Sequence, residues 1–367
     1  MKIWVDARPL SYQLTGIGIY LRCLLDEIQE LDSKNYYCLI SSAPINYEIR
    51  NPKWSKIESR VRGKLINPLW FQLVVPLIAA RDKIDLFWGP RHQVPIFLPY
   101  RILTVLTVHD IVHRLYPETM AFPNLLSERL FFHLSLARSR MIIVDSRSTA
   151  FDIQRYYSIP PERVETIHPG TPPLPGLSGK DGIGFSLPSR YFLFVGTLDP
   201  RKNIESLLTA FEMVRPEKNG VHLLVVGGKG WKNSSFYKRI RSHPFKEYVH
   251  LTGYVPREYL KSLYENALCL LFPSLYEGFG FPILEAMSCG TPVITSNTSS
   301  MPEVAGNAAL FVDPPDTVAL AEAMQDIMKR EGLRNELAAK GLVRAKTFLW
   351  RKSAEKTMEV FEKVLKQ

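Results

Sequence analysis

Two glutamates in one short segment are the first residues whose spacing suggests chemistry. In SLYEGFGFPILEAMSCGTPVI (274–294), Glu277 and Glu285 stand eight residues apart. The preceding run predicts a strand, and Pro282 favours the first turn of a helix. Glu277 is therefore expected in a strand-end loop. Glu285 is expected in the first helical turn, where a carboxylate interacts favourably with the dipole. An ordinary helix-terminal charge beside a flexible loop is the alternative.

Two cations follow another predicted strand. In TLDPRKN (197–203), Arg201 and Lys202 lie between a strand and a helix N-terminus, which carries partial positive charge and unpaired backbone N–H groups. That arrangement suits a diphosphate through charge-assisted hydrogen bonds. The alternative is a solvated basic turn in which Asn203 caps the helix.

A glycine-containing turn opens the first predicted helix. Gly16 and Gly18 in YQLTGIGIY (12–20) would let the backbone approach a phosphate or sugar closely. The segment lacks a full G-x-G-x-x-G pattern, and the chain has no Walker P-loop. A plain tight turn explains these residues equally well.

A histidine ends a further predicted strand. His109 and Asp110 in TVHDIVH (107–113) would point toward the ligand site if the strand ends there. A single histidine is more often structural than catalytic, but a position at the end of a strand favours a functional role and reduces that difference.

The elements that must position these residues form two α/β series. Short apolar runs alternate with amphipathic segments, which predicts mainly parallel sheets. We expect an N-terminal Rossmann-like domain at 1–170, a proline- and glycine-rich linker at 171–189, a C-terminal Rossmann-like domain at 190–345 and a C-terminal helix at 346–367. The final helix is expected to pack back toward the N-terminal domain. Ligands of such sheets bind beyond the carboxyl ends of the strands, so the site is expected in a cleft between the two domains.

Composition limits the class of protein. The chain has 367 residues, 22% of them charged, and a formal net charge of +10. That charge favours an anionic partner: a nucleotide, a nucleic acid or an acidic membrane surface. Four dispersed cysteines predict neither a disulfide framework nor a structural metal. The absence of a signal-peptide pattern and of a run of ~20 apolar residues predicts a cytoplasmic protein, soluble or peripherally attached.

Together these motifs resemble the retaining glycosyltransferases of family 4, which have the glycosyltransferase-B fold of two Rossmann-like domains facing across a cleft. The resemblance spans nearly the whole chain. It rests on the glycine loop, VHD, LDPRKN, VVGG, TGYV, the paired-glutamate segment and SSMPEVAGNAALFVDP. It implies transfer of a sugar from a nucleotide-sugar donor. The chain has no D-x-D, the acidic pair that holds a divalent ion on the diphosphate in many sugar-nucleotide enzymes, so we expect no metal or other cofactor.

The resemblance also implies roles for individual residues. Glu285 would bind the donor ribose, and Glu277 would face the donor sugar. The remaining donor contacts are the backbone of Gly278, Phe279 and Gly280 at the sugar, Arg201 and Lys202 with Gly16 at the diphosphate, His109 at the sugar, and Gly253, Tyr254 and Val255 beside the base. Thr197 stands where many members carry arginine, which puts more of the diphosphate charge on Arg201 and Lys202.

The family implies retention at the anomeric carbon without an obvious nucleophile. A double displacement needs a carboxylate beneath that carbon. The account favoured here is front-face attack, in which the leaving diphosphate accepts the acceptor's proton. Glu277 then orients and stabilises the donor.

The wider motifs look most like bacterial enzymes of surface-polysaccharide assembly, several of which use GDP-mannose. We therefore expect hexose transfer, with mannose preferred, to a glycan or lipid-linked acceptor. A UDP-sugar donor carrying glucose, galactose or N-acetylglucosamine is the alternative. More distant alternatives are a sugar-nucleotide epimerase, a catalytically silent homologue and a nucleic-acid binder, although the chain contains no recognised nucleic-acid module.

A basic segment suggests membrane contact at the inner face of the plasma membrane. Residues 50–64 carry six cations with Trp54 and Ile57 interleaved, and precede an apolar stretch: Arg50, Lys53, Lys56, Arg60, Arg62 and Lys64. Such a pattern suits an anionic lipid surface. A solvated loop followed by a buried helix is the alternative.

Overall fold

The structure of the protein is a computed structural model that describes residues 1–59, 66–176, 187–228, 230 and 234–366. Its strands are β1 (Lys2–Asp6), β2 (Tyr36–Ser41), β3 (Trp54–Glu58), β4 (Leu86–Gly89), β5 (Leu103–Val108), β6 (Met141–Val144), β7 (Val164–Thr166), β8 (Tyr191–Val195), β9 (His222–Val226), β10 (Val249–Gly253), β11 (Cys269–Phe272), β12 (Val293–Ser296) and β13 (Leu310–Val312).

The helices lie mostly between consecutive strands. They are α1 (Gly16–Leu31), α2 (Ile66–Leu69), α3 (Val75–Asp82), α4 (Val112–Leu115), α5 (Phe122–Arg138), α6 (Arg147–Tyr157), α7 (Ile204–Met213), α8 (Pro216–Asn219), α9 (Ser234–Arg241), α10 (Arg257–Glu265), α11 (Phe281–Ser288), α12 (Met301–Ala305), α13 (Thr317–Lys329), α14 (Glu331–Ala345) and α15 (Trp350–Lys366). A π-helical turn, Trp70–Val74, joins α2 to α3.

The strands form two parallel sheets. Within the described ranges, one sheet has the order β3-β2-β1-β4-β5-β6-β7 and the other β10-β9-β8-β11-β12-β13. Their strands are rich in Val, Ile, Leu and Phe because helices cover both faces of a parallel sheet. In β11, for example, Leu270 and Phe272 join one buried cluster, whereas Cys269 and Leu271 join another. The predicted fold class, two Rossmann-like parallel sheets, is confirmed.

The chain divides into two compact units. The first contains residues 1–113, 122–170 and 349–367, and the second contains 114–121 and 171–348. Helix α15 therefore belongs to the same unit as β1, and Ser353 Oγ donates a hydrogen bond of 2.6 Å to the His168 carbonyl. Residues 177–186 of the predicted linker lie outside the described residues.

The basic segment 50–64 contains a strand that sequence reasoning missed. Strand β3 is the edge of the first sheet, and Trp54 is buried with its ring stacked on Tyr37 at 4.6 Å. Lys56 Nζ donates to the carbonyls of Ile45 and Tyr47. Lysines are typical of exposed sheet edges because they discourage pairing with another chain. The interpretation of Trp54 as a membrane-facing aromatic is thus wrong; Arg60, Arg62 and Lys64 lie outside the described residues.

The described residues contain no helix that is both long enough and apolar enough to cross a membrane.

Candidate active site

In the second unit, Glu277 lies in the loop between β11 and α11, where the sequence placed it. Its side chain is buried. One carboxylate oxygen, Oε1, lies 2.5 Å from Lys202 Nζ, and Oε2 lies 2.6 Å from Arg201 Nη1. Glu277 therefore holds both cations of the predicted diphosphate site.

The short turn Pro200–Lys202 carries these cations between β8 and α7. Arg201 Nη1 also donates to the Tyr276 carbonyl at 2.6 Å, and Lys202 Nζ lies 4.9 Å from the centre of the Phe272 ring. Asn203 does not cap the helix with its side chain; its Nδ2 donates to the Pro314 carbonyl instead. The alternative of a solvated turn capped by Asn203 is wrong, because both cations are largely buried.

Charge balance in this cluster keeps Glu277 ionised. Burial alone would raise the pKa of Glu277, but the charges of Arg201 and Lys202 outweigh it and lower that pKa to about 2. Two cations face this one carboxylate, so the three side chains together carry a net positive charge; burial lowers the pKa of Lys202, while Glu277 and Asp199 favour its charged form. That surplus suits an anionic ligand.

A close approach of two strand ends shapes the same edge of the sheet. A Cβ on Gly227 would lie 1.9 Å from the carbonyl oxygen of Gly196, so only glycine fits there. Leu198 N–H donates to the Gly228 carbonyl at 3.2 Å. The VVGG motif thus lets the ends of β8 and β9 meet beneath the turn that carries Arg201 and Lys202.

Serines from the segment before α12 hold the glutamate loop. Ser300 Oγ, which is fully buried, lies 2.9 Å from the carbonyl oxygens of both Glu277 and Phe279. Ser299 Oγ accepts from the Glu277 backbone N–H at 3.0 Å. These contacts fix the backbone on both sides of Gly278. The alternative of a flexible loop is therefore wrong.

One glycine of the loop has a conformational reason to be glycine. Gly280 has φ of 101°, a left-handed conformation that favours glycine, and it precedes the first residue of α11. Gly278 and Phe279 are buried, and the Phe279 ring packs against Phe348 at 5.8 Å. The predicted backbone contacts of this loop with a sugar stay predictions.

Glu285 lies in the second turn of α11, so the prediction of a first-turn position is wrong. The helix begins at Phe281, one residue before the proline, which leaves Glu285 beyond the turn where the dipole acts. Its buried carboxylate is held by side chains instead. Arg257 Nη1 lies 2.9 Å from Oε1, and the Tyr264 hydroxyl donates to Oε2 at 2.9 Å.

Arg257 and Tyr264 were missed by sequence reasoning. They stand two turns apart on α10 and so share one face. Burial and the Glu285 carboxylate raise the pKa of Tyr264 well above its ordinary value, which keeps its hydroxyl a donor. One signal was available: a cation in the first turn of a helix opposes the dipole, which indicates a partner elsewhere.

The predicted base-binding residues differ in exposure. The Tyr254 side chain is half exposed, whereas Val255 is buried in the core of the unit. The side chain of Val255 therefore packs inside the unit, and the predicted contacts of Gly253, Tyr254 and Val255 with a base stay predictions. Thr197 is exposed beside Gly196 at the end of β8.

In the first unit, His109 is buried at the end of β5. Its Nδ1 lies 2.6 Å from Asp145 Oδ2 and its Nε2 lies 2.9 Å from the Pro90 carbonyl oxygen. Burial alone would lower the pKa of His109, but Asp145 and the carbonyl raise it overall. Because both partners accept hydrogen bonds, the protonated ring fits here. Its predicted contact with the sugar stays a prediction.

The two glycines of the first helix are placed differently. Gly16 is exposed and begins α1. Gly18 is buried within the helix, and a Cβ there would lie 3.0 Å from Leu14 Cδ2 and 3.1 Å from the Pro9 carbonyl oxygen. Packing within the unit therefore gives Gly18 a structural reason to be glycine, and its predicted contact with the donor stays a prediction.

Comparison with known proteins identifies the family. Residues 16–173 match the family described as Glycosyltransferase Family 4, and residues 180–343 match Glycosyl transferases group 1. The sequence is 32% identical to O-antigen chain mannosyltransferase B of Escherichia coli, with 99% of this chain and 100% of that protein covered. The chain belongs to the family 4 glycosyltransferases.

A further relative and a solved structure are also similar to this glycosyltransferase. It is 30% identical to O-antigen chain mannosyltransferase RfbU of Salmonella typhimurium over 70% of this chain and 68% of that protein. Its fold is similar to sucrose-phosphate synthase from Thermosynechococcus elongatus, with a TM-score of 0.74, 20% identity and coverage of 99% of this chain and 98% of that one. The predicted glycosyltransferase-B fold is confirmed.

Proposed function

We propose that this glycosyltransferase moves a hexose, with mannose from GDP-mannose preferred, onto a glycan or lipid-linked acceptor in surface-polysaccharide assembly. The observation that carries the proposal is the cluster of Arg201, Lys202 and Glu277 at the carboxyl ends of β8 and β11. The similarity to O-antigen chain mannosyltransferase B over nearly the whole chain supports mannose as the sugar.

The reaction is proposed to need no metal. In the cluster, Arg201 and Lys202 would contact the diphosphate of the donor and stabilise the charge that develops as it leaves. Glu277 keeps both cations in place before the donor arrives. Position 197 carries threonine, so no third cation joins Arg201 and Lys202 from there.

Retention is proposed to follow front-face attack. The acceptor oxygen forms a bond to the anomeric carbon on the face from which the diphosphate departs. The bond from that carbon to the phosphate oxygen breaks, and the acceptor proton passes to the leaving diphosphate. Engagement of both Glu277 oxygens by cations supports a positioning role, because a covalent nucleophile needs an oxygen directed at the carbon.

Glu285 is proposed to bind the donor ribose. Each carboxylate oxygen has more than one lone pair, so the contacts from Arg257 and Tyr264 still allow each oxygen to accept from a ribose hydroxyl. Arg257 Nη2 also donates to the Pro173 carbonyl at 2.9 Å, which fixes the guanidinium and thereby the carboxylate. Arg257 and Tyr264 are therefore proposed as positioning residues.

A lipid-linked acceptor would bring the enzyme to the inner face of the plasma membrane. We propose peripheral contact with anionic lipid there, and a cytoplasmic location of the site. Nucleic acid is not among the proposed partners.

A donor screen tests the proposal. Thermal shift and nucleotide release are measured with GDP-mannose, UDP-glucose, UDP-galactose and UDP-N-acetylglucosamine. We expect a shift and release with GDP-mannose. Stabilisation by a UDP-sugar alone would move the assignment to the UDP-dependent alternative, and interconversion of a sugar nucleotide without an acceptor would identify an epimerase. The anomeric configuration of the product, read by NMR, tests retention.

A further inference from the structure

The helical stretch around α3 exposes a row of leucines. Leu69, Leu73 and Leu77 stand four residues apart and are 59%, 50% and 72% exposed. Their neighbours Trp70 and Phe71 are buried in the first unit. Half of the stretch therefore packs inward while leucines cover its outer face, a pattern that a water-facing helix does not need.

Helix α5 repeats this arrangement. Phe122, Leu126, Leu130 and Leu134 recur every fourth residue and are all exposed. The opposite side of the helix is buried. Seventeen residues of α-helix extend about 25 Å, so the apolar row is long.

The segment between these helices connects the two rows. Ile96 N–H donates to Gln72 Oε1 at 2.8 Å on one side, and Val94 N–H donates to Ser135 Oγ at 3.2 Å on the other. This segment adds two exposed aromatics, Phe97 and Tyr100, the second of which is 93% exposed. The three neighbouring segments make up what we call the apolar surface: Leu69, Leu73, Leu77, Phe97, Tyr100, Phe122, Leu126, Leu130 and Leu134.

The most exposed charges among these side chains are cationic. Arg81, Arg101 and Arg129 are exposed, and Arg101 Nη2 donates to the Ala80 carbonyl at 2.8 Å. The two acids of the three segments are engaged: Asp82 lies 2.6 Å from Lys2 Nζ, and Glu128 is largely buried near His92.

We propose that the apolar surface docks on a membrane that contains anionic phospholipid. Contiguous exposed apolar side chains mark interaction sites. Leucines and aromatics beside arginines match the boundary between acyl chains and anionic headgroups. A second copy of the chain fits less well, because a symmetric contact would bring together two surfaces that both carry Arg81, Arg101 and Arg129.

This inference rests on the proposed function only in its reason for membrane contact, a lipid-linked acceptor. The apolar surface lies in a different part of the chain from segment 50–64, where the sequence predicted membrane contact. Trp54, the aromatic of segment 50–64, is buried, whereas the apolar surface is built from residues 69–134.

Vesicle flotation of the full chain tests the inference. Vesicles of phosphatidylcholine alone are compared with vesicles of equal parts phosphatidylcholine and phosphatidylglycerol. We expect the wild type to float with the anionic vesicles. The double variant Leu73→Glu/Leu77→Glu should bind at least about tenfold more weakly, because two apolar side chains no longer enter the lipid. Val343→Glu, an exposed position in the second unit, is the matched control and should float like the wild type.

Charge reversal at the arginines is a second test of the inference and leaves the leucines unchanged. Arg101→Glu and Arg129→Glu should each weaken binding to anionic vesicles by about five- to thirtyfold. Lys346→Glu serves as the charge-matched control. Thermal unfolding of each variant separates loss of binding from loss of folding.

Three results would overturn the inference: a wild type that does not float, equal flotation on neutral vesicles, or a dimer in light scattering that Leu73→Glu/Leu77→Glu dissociates. Donor-dependent nucleotide release without vesicles is measured in parallel. Failure of release with intact flotation rejects the proposed function and leaves the docking surface standing. Intact release without flotation rejects the docking surface and leaves the proposed function standing.

Discussion

The carboxylate of Glu277 lies 2.5 Å from Lys202 Nζ across 75 positions of sequence. Both side chains are largely buried, and Arg201 contacts the other carboxylate oxygen of Glu277. Glu277 therefore determines where the two cations stand. A residue that looks nucleophilic in sequence is, in the fold, the anchor of a cationic pair.

Removing the charge of Glu277 should damage both folding and turnover. In Glu277→Gln we expect a free energy of unfolding lower by about 3–5 kcal/mol, because two buried cations lose their counterion. The kcat should fall by about a hundredfold or more, since the cations no longer point at the diphosphate. Denaturant unfolding and donor kinetics measure these effects, with exposed Glu322→Gln as the control. Mass spectrometry that finds a glycosyl adduct on Glu277 would contradict the positioning role.

Replacing Lys202 should affect turnover more than donor binding. Lys202→Met keeps most of the side-chain volume and removes the charge, so kcat should fall by about 100- to 1000-fold with a smaller change in KM. Lys218→Met, at an exposed position of the same unit, is the matched control. If Lys202→Met retains wild-type kcat while Arg201→Met does not, the diphosphate contact belongs to Arg201.

Loosening Glu285 should raise the KM for the donor. Arg257→Gln and Tyr264→Phe each remove one hydrogen bond to a buried carboxylate, and we expect KM to rise about tenfold with kcat little changed. The free-energy change calculated from KM for the double variant should be smaller than the sum of the two single changes, because both residues act through Glu285. Lys261→Gln on the same helix is the control. A fall in kcat at constant KM would argue against the ribose assignment.

Removing the Ser300 hydroxyl should release the glutamate loop. Ser300→Ala leaves the carbonyls of Glu277 and Phe279 without this donor, so we expect about 1–3 kcal/mol lower stability and a reduced kcat. Ser288→Ala is the control, since the hydroxyl of this exposed residue donates to the Glu285 carbonyl of its own helix and does not bond to the glutamate loop. Unchanged turnover in Ser300→Ala would show that the loop keeps its shape without the serine.

Two histidines of the first unit should give opposite pH dependence. The pKa of His109 is raised by Asp145, so its stabilising contribution is fully present below about 6.5 and is lost as pH rises through the raised pKa. Burial lowers the pKa of His113 to about 4, so its contribution is present above about 6.5 and is lost as pH falls toward that value.

Denaturant unfolding against pH measures both contributions as differences from the wild type. The stability difference for His109→Gln should shrink as pH rises, and that for His113→Gln should shrink as pH falls. Parallel slopes for the two variants would contradict the assignment.

Local sequence patterns were enough for most elements. Runs such as YYCLIS predicted β2 because a strand buried on both faces needs continuous apolar residues. The same reasoning missed β3, since an edge strand carries charges and shows no such run. Glu285 was placed one turn too early because proline favours more than one position at the start of a helix.

The sequence by itself determined the two α/β series, the family and the loop that carries Glu277, because these depend on local periodicity and on motifs with fixed spacing. Only the tertiary structure decided what each charged side chain holds. Arg257, Tyr264 and Ser300 meet their partners across 21 to 28 positions, and Lys202 meets Glu277 across 75. Such pairings follow from which strand ends lie side by side, and strand order is set by the packing of the whole sheet.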